Sequence, residues 1–386
     1  MRRMKWLALF LVLVFAARVE AATDERSRGA QAAKALTTIT GVAISPLLGV
    51  GAVGAWDYFH TPDSKKNDLS WYQHPLFWFP ALLLAGAVAF KDAAGAAIPT
   101  GWKKPLDAAE TVESKISGLV ATGAFAPMVA SIFSHSGLTA HGLNVLGFAT
   151  IDLSPLLNIL TIPFAMAAFF VVWLVGHVIT VLIMISPFGP VDAALKGLRT
   201  SLIGLLTVVH LINPWFGALL SALVIIIAYF IAGWSFRVMV FGSVFSWDFF
   251  TRRRKRFKPA PNANWMFTAR KVESAPIRSY GKLIKTDDGK LTFEYRPWLI
   301  FAKRTVTLPA GQYAIGRGLV YPTIMTIDGA KEKAVLSLPP RYRKHEEEVG
   351  QIYGIRDIRD VGILKGFKAI WRWFSGGEPS PAPAAA

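Results

Sequence analysis

The sequence predicts an α-helical polytopic membrane bundle of six to seven crossings, with a possible inverted three-helix repeat, followed by a small mainly-β domain. Three observations carry this. Residues 154–250 hold very few charges, and about 20 apolar residues suffice to cross a hydrocarbon core. The 386-residue chain is 53% hydrophobic with a mean hydropathy of +0.40, above the range of soluble domains. From Trp265 onward the chain breaks into short alternating segments bounded by turn residues.

The first element expected is a secretory signal peptide over residues 1–22, with an uncleaved short anchor as the alternative. Arg2, Arg3 and Lys5 precede an apolar run over 6–17, and Ala21 and Ala22 supply the small residues of a cleavage site. Residues 23–34 are polar. The transmembrane helical domain is expected over 35–250, with crossings at 35–56, 76–98 and 116–133. Residues 155–185 are read as one tilted helix or a tight pair. Residues 198–250 are too long for a single crossing, and Asn213-Pro214 is the expected break, because proline removes a donor and disfavours helix before it.

Three short matches recur in the same order. Ser45-Pro46-Leu47-Leu48 recurs as Ser154-Pro155-Leu156-Leu157. Pro105-Leu106-Asp107-Ala108-Ala109 recurs as Pro190-Val191-Asp192-Ala193-Ala194. Gly118-Leu119 before Pro127 parallels Gly204-Leu205 before Pro214. A duplicated unit of three crossings would be inverted, the design of many transporters. The competing explanation is that Pro-x-Asp-Ala-Ala simply starts a helix, with proline and an early carboxylate suiting the first turn.

The charge is uneven. From Arg252 onward there are 26 Lys/Arg against 12 Asp/Glu, a balance of +14 out of a total of +17. The basic run Arg252, Arg253, Arg254, Lys255 and Arg256 opens a linker over 251–264. It places the C-terminal region in the cytoplasm by the positive-inside rule. Because this run follows an apolar segment, anionic lipid headgroups are the expected partner and nucleic acid is not.

The β domain is expected over 265–353. Asp287-Asp288-Gly289 between 282–286 and 290–295 is a hairpin signature. Further strands are expected at 299–308, 312–315, 319–327 and 333–338, with a helix over 341–353. Residues 354–376 combine Lys365, Lys368, Trp371, Arg372 and Trp373 with apolar neighbours, the mixture of an interfacial amphipathic helix. Residues 377–386 are expected to form a disordered Pro/Ala tail.

Candidate chemistry is sparse. Cysteine is absent, which removes disulfides, cysteine nucleophiles and zinc–cysteine sites. There is no metalloprotease, hydrolase or nucleotide-binding motif, and neither a cofactor nor a metal is implied. Asp107, Asp192, His177 and His210 are the candidates for an intramembrane polar path, since ionisable residues in apolar spans are functional hypotheses by default. A single histidine bonded to a neighbouring helix is the simpler alternative for each of the two histidines.

The segment from about Ile39 to Pro127 resembles a family of bacterial multi-pass membrane proteins known only as a domain of unknown function. Ser45-Pro46-Leu47-Leu48, Lys91-Asp92 and Lys104-Pro105-Leu106-Asp107 carry that resemblance. It implies a bacterial inner-membrane protein and no activity. The strand order of the C-terminal domain is similar to bacterial pleckstrin-homology-like domains, as an analogy of fold. The functions these features imply are a transporter or channel-like protein with a cytoplasmic β domain, or a non-transporting membrane scaffold. In the latter, the β domain and basic tail bind lipid or a protein partner. Small-residue helix faces (Gly49, Gly51, Gly54) suit close helix packing, and a homo-oligomer is compatible with them.

Overall fold

The computed structural model describes residues 28–93, 110–111, 113–124, 154–185, 189–286, 288–328 and 331–361. The expected signal peptide, Asp107, the aromatic-basic segment with Lys365, Lys368, Trp371, Arg372 and Trp373, and the Pro/Ala tail lie outside them. The chain divides into two compact units, Met1–Ser235 and Phe236–Ala386.

The first unit is helical: α1 (Arg28–Ile44), α2 (Pro46–His60), α3 (Pro75–Ala93), a helical segment over 113–124, α4 (Ser154–Ile185), α5 (Gly189–Ile212) and α6 (Pro214–Phe250). The last fifteen or so residues of α6 belong to the second unit. Its core gathers Ile39, Val42 and Ile44 of α1, Phe169 and Val172 of α4, and Leu206 of α5.

The expected bundle of six to seven crossings is overturned. Among the described residues only two helical stretches are long and apolar enough to cross a membrane, Pro163–Ile185 and Pro214–Phe250. The reasons are local. The expected crossing at 35–56 is cut at Ser45-Pro46, where α1 ends and proline opens α2. The expected crossing at 76–98 is apolar only over the shorter stretch Pro75–Val88. Residues 154–185 form one helix rather than a pair. The break at Asn213 falls as expected, since α5 ends at Ile212 and α6 starts at Pro214. Yet α5 carries Asp192, Lys196 and Arg199 and reads as amphipathic rather than membrane-spanning.

The second unit is built on one eight-stranded sheet: β1 (Ala263–Thr268), β2 (Tyr280–Lys285), β3 (Leu291–Tyr295), β4 (Arg304–Thr307), β5 (Gln312–Arg317), β6 (Thr323–Asp328), β7 (Lys331–Ser337) and β8 (Asp357–Asp360). The order is β4-β3-β2-β1-β7-β6-β5-β8. The β1–β4 and β5–β7 meanders are antiparallel and join through the β1–β7 pair. β8 runs parallel to β5. Parallel pairing needs a crossover connection, and α7 (Glu346–Tyr353) lies within the one that reaches β8.

Alternation sets the inner face. Leu291, Phe293 and Tyr295 of β3 point inward while Thr292 and Glu294 are less enclosed. Gly281 in β2 lies so close to the Glu294 carbonyl and the Phe293 ring that a side chain there would collide. Gly289, with φ +77°, closes the β2–β3 turn.

Two strands lay outside the sequence expectation. β1 is anchored by Asn264, whose amide bridges to Ala260, Tyr342 and Tyr353. β8 is a short edge strand of alternating charge. The segment 299–308 narrows to β4 because the chain first makes a 3-10 turn at Pro297–Leu299.

Candidate functional site

The structure offers two polar constellations, one in each unit. In the helical unit, a cluster forms where residues 110–117 meet α4 and α5. Gly118 leaves the space that the Trp173 indole fills. The indole N–H reaches the Ser114 carbonyl at 3.4 Å. Its ring stacks on His177 at 5.4 Å between centroids, and His177 Nδ1 lies 3.1 Å from Ser114 Oγ. Arg199 on α5 reaches Glu110 Oε1 at 3.4 Å and Thr180 Oγ1 at 3.5 Å. Burial raises the Glu113 carboxyl and lowers the Lys115 ammonium from their ordinary values.

Of the residues expected in a polar path, His177, Asp192 and His210 fall in described helices. His177 sits in the cluster just described, bonded to a neighbouring helical segment. Asp192 is buried in the first turn of α5, two residues after Pro190. His210 stands near the other end of α5, about 27 Å along the axis, and its side chain lies outside the described residues, as does all of Asp107. Any route using both Asp192 and His210 would have to run the length of α5. Glu110 and Arg199 are the members of the cluster that sequence reasoning did not single out as a pair. Opposite charges on two segments that each carry several ionisable residues gave no signal that would pair them.

The second constellation lies at the far end of α6. The helix ends at Phe250, and Arg252 takes the left-handed conformation (φ 49°) that turns the basic run into a 3-10 turn, Arg253–Lys255. Asp248, in the last helical turn, is fully enclosed. Its carboxylate lies 2.7 Å from Arg341 Nε and 3.7 Å from Arg253 Nη1. The ring of His345 lies between Glu348 Oε2, at 2.9 Å, and the Arg254 carbonyl, at 3.1 Å, tying the basic turn to the start of α7.

Arg252, Arg254, Lys255 and Arg343 line a cavity of about 420 Å³ together with Asp248, Phe249, Phe250 and Val320. Asp248 is the sole carboxylate on this wall and is already engaged by Arg341 and Arg253. The cavity is therefore net basic beside exposed aromatic surface (Trp247, Phe249 and Phe250). Arg253, Arg256 and Lys258 line a second, shallower recess with Trp247 and Phe257. Sequence reasoning found the basic run but not Arg343, Arg341 or Asp248, which only the fold brings to it.

The run also stands farther from the apolar span than its sequence position suggests. Large apolar residues are exposed on α6 at Phe216, Leu219, Leu223, Ile227, Phe230 and Trp234, a stripe at three- and four-residue spacing. None is exposed again until Trp247. Val238 and Phe245 are buried within the second unit, where Phe241 and Phe245 pack on Phe267 and Tyr321. The outward-facing apolar part of α6 is thus residues 214–234, about 31 Å long, which matches a hydrocarbon core. The basic turn begins about 22 Å beyond Arg237 along the helix axis, more than twice the screening length of about 8 Å at physiological salt.

Among the described residues, no cluster of three or more His, Asp or Glu residues is arranged to hold a metal ion. No family model, curated protein or solved structure matches the chain.

Proposed function

We propose that this protein is a membrane-anchored scaffold. Residues 163–185 and 214–234 seat it in a lipid bilayer. The β domain, which includes the last turns of α6, presents the basic-aromatic cavity to an acidic segment of a protein partner on the cytoplasmic face. The observation that carries this reading is the division of α6 into an outward apolar stripe and a more enclosed stretch, residues 236–246, that is part of the β unit. A helix about 55 Å long exceeds any bilayer core, so its last turns extend beyond the span. Arg237 and the later cations support the cytoplasmic orientation. The strand order of two antiparallel meanders followed by a helix supports the pleckstrin-homology-like reading of the domain as an analogy of fold.

At the height of Arg252 a bilayer exerts little electrostatic pull, so a protein segment suits the cavity better than a headgroup of the same membrane. The exposed aromatics on its rim favour a partner that mixes carboxylates with apolar side chains. The test titrates the detergent-solubilised full chain with a fluorescently labelled peptide of alternating Glu and Phe. Saturable, salt-weakened binding that disappears in the triple variant Arg254→Glu, Lys255→Glu, Arg343→Glu is the expected result. Equal binding by the variant would refute the assignment of the cavity.

A further inference from the structure

Exposed apolar residues also gather at the other end of the enclosed part of α6. The β3–β4 connection carries Leu299, Ile300 and Phe301 at 42%, 77% and 57% exposure, a density of bare apolar surface unusual for the loop of a hairpin. Trp298 and Leu299 hold successive left-handed backbone conformations (φ 54° and 61°), a costly arrangement for non-glycine residues. It turns the loop outward instead of folding it onto the sheet. Arg296 and Arg304 stand exposed at the base of the loop, and Lys303 pairs with Glu294.

Two contacts fix where this loop lies along α6. The Trp298 ring packs on Phe236 at 4.7 Å. In the neighbouring β1–β2 connection, the Ile277 carbonyl accepts a hydrogen bond from Arg237 Nε at 2.9 Å, and Ile277 is itself exposed. Phe236 and Arg237 follow Trp234, the last residue of the outward apolar stripe, with Ser235 between. A tryptophan and then an arginine at the end of an apolar span mark the level of the membrane–water interface. The loop therefore emerges from the β domain at the height where the hydrocarbon ends.

We propose that the β3–β4 loop is a membrane-inserting wedge. Leu299, Ile300 and Phe301 enter the leaflet from which α6 emerges, while Arg296 and Arg304 stay at the headgroup level. The occupant is lipid rather than a second copy of the chain, because the loop is contiguous with the interface level that Trp234 and Arg237 define and is flanked by cations suited to anionic headgroups. Seating the wedge holds the domain at two points, α6 and the loop, and so fixes its tilt over the bilayer.

This inference rests on the reading of residues 214–234 as membrane-embedded, and one experiment separates the two. The chain has no native cysteine, so single variants Leu223→Cys, Ile300→Cys and Lys290→Cys can each be labelled with an environment-sensitive fluorophore. The full chain is then reconstituted in phosphatidylcholine–phosphatidylglycerol vesicles with or without lipid carrying doxyl groups at both shallow and deep acyl positions. Leu223 probes the span, and Lys290 lies at the opposite end of the β2–β3 and β3–β4 ladders from the wedge. Blue-shifted emission that doxyl lipid quenches at both 223 and 300, but not at 290, is the expected result. Quenching at 223 without quenching at 300 overturns the wedge alone, and a blue shift at 300 without lipid quenching does the same by pointing to a protein cover. Absence of quenching at 223 overturns the membrane reading and the wedge with it.

Discussion

Arg341 Nε sits 2.7 Å from Asp248 Oδ2, joining the last turn of α6 to the 3-10 turn at Pro340–Tyr342, with both side chains almost fully withdrawn from water. Arg253, nearly half exposed, lies farther from the same carboxylate, at 3.7 Å. Deleting one member of a buried pair leaves its partner charged without compensation, at a cost of about 3–5 kcal/mol. Arg341→Met is therefore expected to loosen the end of α6 from the sheet. Faster amide exchange at 245–250, with exchange in 214–234 unchanged, is the measurement that checks it.

The stripe on α6 makes a second expectation. Ile227 is half exposed on the outward face, and an arginine at the centre of a membrane helix costs about 2.5–3.5 kcal/mol on insertion scales. Ile227→Arg is expected to reduce the membrane-integrated fraction after alkaline carbonate extraction. Trp247→Arg, at an equally apolar but distal position, is expected to leave that fraction unchanged.

Gly118 and Trp173 occupy each other's space in the helical unit. Gly118→Leu must expel the indole, which also breaks its bond to the Ser114 carbonyl and its stacking on His177. Overpacking of this kind costs about 1–3 kcal/mol. A lower midpoint of helical thermal unfolding is expected, with tryptophan emission shifted to longer wavelength.

Burial pushes the Tyr353 hydroxyl up to about 12, and the hydroxyl donates to the Leu283 carbonyl at 2.9 Å. Its ordinary value is 10. Below pH 10 it is neutral in both folded and unfolded chains, so it gives no pH dependence there. Between pH 10 and about 12 only the unfolded chain ionises, and the β unit loses stability as pH rises, by on the order of 2–3 kcal/mol. Tyr342 is raised for the same reason. Unfolding midpoints measured from pH 9 to 12 should fall, and fall less steeply in Tyr353→Phe.

Much of the β domain could be read in the chain because its signals are short-range. Asp288 and Gly289 sit in a turn, and the flanking segments pair in register from Gly281 with Tyr295 to Lys285 with Leu291. The Asn213-Pro214 break was legible for the same reason. The number of crossings was not, because apolar composition cannot distinguish a helix face turned to lipid from one turned to protein. Val42 and Ile44 are as apolar as Leu223 and Ile227, yet the first two are buried in a core and the latter two are bare. The proline of Ser45-Pro46 was the one local sign that the first expected crossing is two helices. The partners of the basic turn were illegible for another reason, since Asp248, Arg341 and Arg343 meet only through the fold.

The boundary at Trp234 is tested most directly by scanning α6 with single cysteines at 219, 223, 227, 230, 234, 247 and 249 in sealed inverted vesicles, whose cytoplasmic face is outward. The probe is a water-soluble maleimide. Positions 219–230 should resist labelling, 234 should react slowly, and 247 and 249 should react rapidly. Rapid labelling at 223 and 227, or protection that continues unbroken through 249, would contradict a membrane span that ends where the β domain takes hold of the helix.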